Sequence, residues 1–318
     1  MRLRRLREIG LNLGIRIPDA RMQARADGEV LDLGTQAPVQ AVQLFRDSFE
    51  GRSADGVDQT GEALEGIFEL IADGLKCAVG VRRFREMCPL GFGRDEVGSL
   101  AMSVWPEDVP ERWPADEVDV DRIIHLPFAH QGPLLDFNIP HEYQPVADSQ
   151  GTRTRGYMWS GTWNANAMGL ARNHPLVLSF GSTDSAEPAR QAEAFLSYPH
   201  MSPSAEWICQ SRAMGFLPML PEGDHSDSHP VIDEAEQALE EAFDEQMRLL
   251  EDVSFGKWNW GRLNQSYSGG AKRWSLWRVF MNTHNEAAQA PWMLFARTGE
   301  AKYLEFARAH TNHSVDVG

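Results

Sequence analysis

The sequence predicts an α+β fold, an antiparallel β-sandwich followed by helices. Three observations carry this. The first two thirds hold many short alternating runs separated by Pro, Gly and Asp-rich connections, without convincing helices between most of them. The character then changes across LPEGDHSDSHP (220–230), a polar loop with two prolines. Beyond it the apolar residues recur with helical spacing.

The opening, MRLRRLREIGLNLGIRI, is arginine-rich, but its apolar stretch is cut by Arg16 and no small-residue cleavage site follows, so it reads as the edge of a folded segment. GIFELIADGLKCAVGVRRF (66–84) is two alternating runs joined at Asp73-Gly74, the signature of a hairpin. VGSLAMSVWP (97–106), RIIHLPFAH (122–130), TRTRGYMWSG (152–161) and HPLVLSFGS (174–182) are further strand candidates, and QAEAFLSYPH (191–200) is a short helix candidate.

After the polar loop, VIDEAEQALEEAFDEQMRLLED is a helix that Pro230 can open. Acids crowd its first turn, and Ile232, Ala235, Leu239, Ala242, Phe243 and Leu250 make one apolar face. Its acidic outer side reads as a solvated face. EAAQAPWMLFAR and EAKYLEFARAH, joined by Thr298-Gly299, form an antiparallel helical hairpin in which Pro291 kinks or starts the first helix. Three or four helices do not close a compact helical barrel by themselves, so the expectation is of a piece of a longer chain.

At 318 residues and 42% hydrophobic the chain accommodates two ordinary domains, and 24% charged residues is a globular value. No apolar run approaches the ~18 residues of a membrane span. Cys77, Cys88 and Cys209 form no CxxC or zinc-type spacing and read as buried free thiols.

The charge distribution is the most informative feature for function. The formal net charge is −16, yet residues 253–285 carry five bases (Lys257, Arg262, Lys272, Arg273 and Arg278) and no Asp or Glu. The same window holds Trp258, Trp260, Trp274 and Trp277, four of the ten tryptophans. Residues 222–252, just before it, hold twelve acids against the single base Arg248. A local positive field beside flat aromatic faces suits an anionic, ring-shaped ligand. An acidic sugar polymer fits better than nucleic acid, which needs an extended basic footprint.

Trp258 and Trp260 alternate, so an extended segment would present both on one side as stacking platforms. Trp274 and Trp277 are three apart, a helical face that suits core packing.

Several segments resemble the exo-rhamnogalacturonan lyase-like family of polysaccharide lyases. They are DGLKCAVGVRRFREMCPLGF (73–92) with AMSVWPED (101–108), AEWICQSRAMGFLP (205–218), and most specifically FGKWNWGRLNQSY…RWSLWRVFMNTHNEAAQAPWMLFARTGEAKYLEFARAHTNHSVDV (255–317). The resemblance implies a central β-sandwich over residues 1–220 and the opening helices of an incomplete α/α toroid over 228–318. The remaining domains would belong to a longer parent chain. It also implies a lyase cleaving uronate-containing glycan by β-elimination, with no redox cofactor and a divalent cation left open.

Under that resemblance the window supplies the side chains the reaction needs. Arg273 or Arg278 would pair with the substrate carboxylate, His284 would abstract the proton, and Tyr267 would donate to the leaving oxygen. Trp258, Trp260, Arg262, Asn264 and Asn282 complete the substrate-binding set. Each has a structural alternative: an arginine paired with an acid of the preceding helix, a histidine capping a helix start, a tyrosine anchored beside Ser268-Gly269-Gly270.

Two clusters carry metal-ligand residue types, Asp224-His225-Ser226-Asp227-Ser228-His229 and His310 with His313 and Asp316, but neither has the HExxH pattern. The first reads as a linking loop and the second as a helix end where histidine favours the dipole, so no metal site is assigned. The absence of acids from the aromatic window argues against a paired-carboxylate hydrolase there.

Overall fold

The computed structural model describes residues 9–54, 56–106, 172–197, 201–217, 230–252, 256, 260–261, 265–268, 273–276 and 289–316. The strand candidates at 122–130 and 152–161 lie outside the described residues, as does most of the 220–230 loop. The described residues form two compact units, the first holding those before residue 200 together with Gly256 and the second the remainder.

The first unit is a pair of antiparallel sheets. One has six strands in the order β1 (Ile9–Arg16), β10 (Ser99–Trp105), β9 (Leu90–Arg94), β4 (Val39–Phe45), β5 (Ser48–Ser53) and β6 (Gly56–Gly61). The other has five, in the order β11 (Leu176–Gly181), β8 (Leu75–Val81), β7 (Leu64–Ala72), β2 (Arg21–Ala26) and β3 (Glu29–Gly34). Among the described strands, the sheet changes five times in chain order, from β1 to β2, β3 to β4, β6 to β7, β8 to β9 and β10 to β11. This is the sandwich-like architecture the short alternating runs predict.

Asp73-Gly74 closes the β7–β8 hairpin in the register Ala72↔Leu75, and among the described strands β1 stands at one end of the six-stranded sheet.

The core follows from period-2 alternation. Met22, Ala24 and Ala26 of β2, Phe68 and Leu70 of β7, and Phe92 of β9 are all buried. Phe68 stacks on Phe92 with centroids 4.7 Å apart, joining the two sheets through one aromatic contact, and meets Phe84 edge-on at 5.1 Å.

Ile67 and Ala78 turn to the opposite face and pack with Ala192 of helix α1 (Glu187–Ser197). Gly80 makes this possible, since a Cβ there would meet the Ala192 carbonyl at 3.0 Å. The Arg82 guanidinium lies 4.1 Å from the Phe195 ring centroid, and its Nε donates to the Phe195 carbonyl at 2.8 Å.

Gln43 and Arg94 are among the buried polar side chains of this unit. Gln43 of β4 is 0% exposed. Its Nε2 donates to the carbonyls of Phe45 (2.6 Å), Ser48 (3.2 Å) and Glu62 (2.9 Å). Its Oε1 accepts from the Leu64 N–H at 2.7 Å, where β7 begins in the other sheet. One amide therefore joins the β4–β5 turn to the crossover between sheets. Arg94 likewise donates to the carbonyls of Ile17 and Thr35.

In the second unit, among the described residues, are helices α2 (Ala205–Ser211), α3 (Pro230–Asp252), α4 (Gln289–Thr298) and α5 (Ala301–Asp316), with a two-stranded ribbon of β12 (Gln265–Ser268) and β13 (Arg273–Leu276). Ser204 caps α2 by accepting from the Trp207 N–H at 3.2 Å. The Cys209 Sγ of α2 approaches the Ala296 carbonyl of α4 at 3.7 Å. That packing places α2 in the helical unit rather than with the sandwich. The α4–α5 hairpin forms as read, and Pro291 stands in the first turn of α4, where its missing N–H is harmless.

The long helix corrects one expectation. Its acids are not simply a solvated face, because Glu236, Glu240 and Asp244, one turn apart, face the cations of the hairpin. Arg297 grips Glu236 with both terminal nitrogens at 2.5 and 3.2 Å, and the Lys302 Nζ lies 3.3 Å from Glu240 and 3.0 Å from Asp244. Phe243 is buried edge-on between Tyr303 and Phe306, both at 5.7 Å. The apolar stripe is sealed only in part, since Leu239 is 43% exposed.

Candidate functional site

Of the cationic window, the structure describes Gly256, the turn Trp260–Gly261 and the β12–β13 ribbon. Trp258, Arg262, Asn264, Arg278, Asn282 and His284 lie outside the described residues. The predicted helical face is corrected by the backbone at Trp274, while Trp277 lies outside the described residues. Arg273–Leu276 is a strand paired antiparallel with Gln265–Ser268, so the spacing of three at Trp274 does not mark a helix. Tyr267 pairs with Trp274, and Ser268 with Arg273. The two candidate residues Tyr267 and Arg273 therefore occupy neighbouring rungs. Alternation along a ribbon puts positions 267 and 274 on one face and positions 268 and 273 on the other.

Trp260 corrects the stacking-platform reading for that residue. It is 6% exposed, in a turn rather than an extended segment, and its indole is not an open surface. The reason is the close approach of the turn to α5. Gly261 has φ +87°, and a Cβ there would lie 2.0 Å from the Ala309 carbonyl and 3.1 Å from the His313 Cβ. Only glycine satisfies both the positive φ and the missing volume. The turn is consequently seated against the helix backbone, and its tryptophan is carried inside.

His310 holds this arrangement from the helix side. It is fully buried, with Nδ1 3.0 Å from the Gly261 carbonyl. A carbonyl only accepts, so the proton resides on Nδ1 and Nε2 presents a lone pair. That Nε2 is buried without a hydrogen-bond partner among the described residues, and the ring stacks beside Phe306 at 6.2 Å. Burial pushes the His310 pKa below its ordinary value, opposed in part by the bond to Gly261.

The helix-end reading of the His310, His313 and Asp316 trio agrees with the structure, since α5 ends at Asp316 and His313 stands in its last turn. All three are buried on the inner side of α5, away from solvent. Among the described residues, no group of three His, Cys, Asp or Glu side chains is placed to hold a metal ion. The 224–229 cluster lies outside the described residues.

Cys77 and Cys88 are buried and Cys209 is partly exposed. Burial pushes the Cys77 pKa up to about 11, which keeps the group neutral and unreactive.

Sequence reasoning missed the Gly261–His310 contact. Its two members stand 49 residues apart, and the only local sign was a glycine following a tryptophan. Three acids of α3, Glu236, Glu240 and Asp244, are engaged by Arg297 and Lys302, two bases lying outside the cationic window. No protein-family model matches this chain, and no curated protein matches it.

Proposed function

We propose that the chain is part of a polysaccharide lyase acting on an acidic, uronate-containing glycan of the rhamnogalacturonan kind. In this reading the second unit is the opening of an α/α toroid whose other helices belong to a longer parent. One observation carries the proposal: a 33-residue window, 253–285, with five bases, four tryptophans and no acid, inside a chain of net charge −16. Such a stretch concentrates anions by field and holds rings by stacking.

In the reaction, Arg273 neutralises the uronate carboxylate, which acidifies the neighbouring C–H. His284 removes that proton, the electron pair forms the C=C bond, and the C–O bond to the leaving sugar breaks. Tyr267 supplies the proton to the departing oxygen. Trp258, Arg262, Asn264, Arg278 and Asn282 hold the flanking residues of the polymer. The role first given to Trp260 as a platform is withdrawn, and that residue anchors the turn instead.

The opposite faces of Tyr267 and Arg273 also favour a second reading, a carbohydrate-binding protein without turnover. Incubation with rhamnogalacturonan, followed by ultraviolet absorbance of new unsaturated uronates, distinguishes the two. The lyase reading expects that absorbance from the parent chain and its loss in Tyr267→Phe and His284→Ala. Binding with no unsaturated product supports the second reading. Saturated products on several acidic polymers reject the lyase.

A further inference from the structure

We propose that His310 is a positioning residue whose bond to Gly261 latches the start of the cationic, tryptophan-bearing segment onto helix α5. Its consequence for ligand affinity rests on the glycan reading above, whereas the latch itself does not. Three observations converge on one turn. The Nδ1–H of His310 donates to the Gly261 carbonyl at 3.0 Å in a fully buried setting. From the other direction, the bare Cα of Gly261 lets the turn approach the Ala309 carbonyl to a distance that no side chain permits. Trp260, the next residue back, is 6% exposed, so its indole is enclosed as well.

The bond, the close approach and the enclosed indole hold a two-residue turn far more firmly than solvent-exposed contacts would. Strand β12 starts only four residues later, at Gln265. A short tether transmits the anchor to the ribbon that bears Tyr267 and Arg273, because few backbone torsions separate them. Positioning of this kind acts on binding geometry without contact to the ligand.

The role differs from simple packing in one respect that can be measured. A packing role asks only for ring volume at position 310, whereas a latch asks for an N–H at the site of Nδ1. His310→Asn keeps an amide N–H near that place, and His310→Leu keeps bulk but no donor. Gly261→Ala attacks the same contact from the turn side.

The experiment is hydrogen exchange by mass spectrometry on the full chain, following the peptide 256–268 against a control peptide in β7–β8. Binding of a rhamnogalacturonan oligosaccharide is measured in parallel by calorimetry.

We expect His310→Leu to speed exchange across 256–268 by roughly tenfold, the factor one buried hydrogen bond carries. His310→Asn returns it most of the way, and Gly261→Ala reproduces the Leu effect. Affinity for the oligosaccharide falls in the same order. If His310→Leu opens α5 as a whole, the comparison of Gly261→Ala with wild type decides the matter, since that variant leaves the helix side chains intact.

Unchanged exchange in both His310→Leu and Gly261→Ala overturns the latch, and so does a His310→Asn variant no better than Leu. Should the wild-type chain fail to bind the oligosaccharide while exchange follows the expected order, the latch stands and the glycan reading is the one that fails.

Discussion

Replacing Gln43 by Leu removes an amide that no other side chain can supply. The Leu64 N–H, which is buried, then loses its acceptor, and the carbonyls of Phe45, Ser48 and Glu62 lose a donor. A buried group left unpaired costs about 1–3 kcal/mol. The Leu64 N–H carries that cost in full, while the partly buried carbonyls recover some of theirs from water, which gives a total of about 3 kcal/mol. In a unit of this size that corresponds to a fall of roughly 6–12 °C in Tm. Differential scanning calorimetry of Gln43→Leu beside wild type measures it. Gln43→Glu is the informative companion, because it keeps an acceptor for Leu64 but turns a carboxylate toward three carbonyls, and it is expected to be no more stable than Leu. A Gln43→Leu variant melting within about 2 °C of wild type would refute the reasoning, because packing would then outweigh the amide.

Three further outcomes follow from the same structure. Gly93→Ala would bring a Cβ to 2.0 Å from the Val39 carbonyl in the six-stranded sheet, and is expected to cost about 3 kcal/mol in urea unfolding; a midpoint equal to wild type would contradict that contact. With Cys77 and Cys88 buried and the Cys77 pKa pushed up by burial to about 11, a thiol reagent at neutral pH should label Cys209 alone in the native chain and all three cysteines in denaturant; prompt native labelling of Cys77 would overturn the assignment.

The third concerns pH. Because burial lowers the His310 pKa in the folded chain, the unfolded state binds more protons, so this stabilisation is present above the unfolded value of about 6.5 and is lost as pH falls toward the lowered folded value. The melting temperature of the second unit should therefore drop on acidification more steeply in wild type than in His310→Asn, and parallel profiles would remove His310 from the effect.

What the sequence disclosed depended on whether a signal was local. Asp73-Gly74 and Thr298-Gly299 each join two strongly patterned runs, and both hairpins form there. Strands β2 through β6 went unmarked although Met22 of β2, Val39 and Leu44 of β4 and Phe49 of β5 point inward, because small or polar residues interrupt their runs, as Ala24 and Ala26 do in β2 and as the GVDQTG of β6 shows. Strand β9, LGFGR, is buried along its whole length, and so offers no alternation to detect. Nothing near Gln43 in sequence reveals that its partners arrive from a turn and a crossover.

At the site, composition disclosed the cationic window but not its geometry. The spacing of Trp274 and Trp277 fits a helix over so short a stretch, yet Ser268-Gly269-Gly270 precedes it, and a glycine pair between two polar-aromatic runs closes a ribbon as readily. The acid stripe at Glu236, Glu240 and Asp244 was legible as a helical row, but its partners became visible only when the hairpin was placed beside it.

Affinity electrophoresis of the 318-residue chain through gels holding rhamnogalacturonan, a neutral galactan or no polymer tests the central claim most directly. The account predicts retardation by the acidic polymer alone, weakened by added salt and by Arg273→Glu with Arg278→Glu. Equal mobility in all three gels, or retardation that survives the double charge reversal, would contradict it.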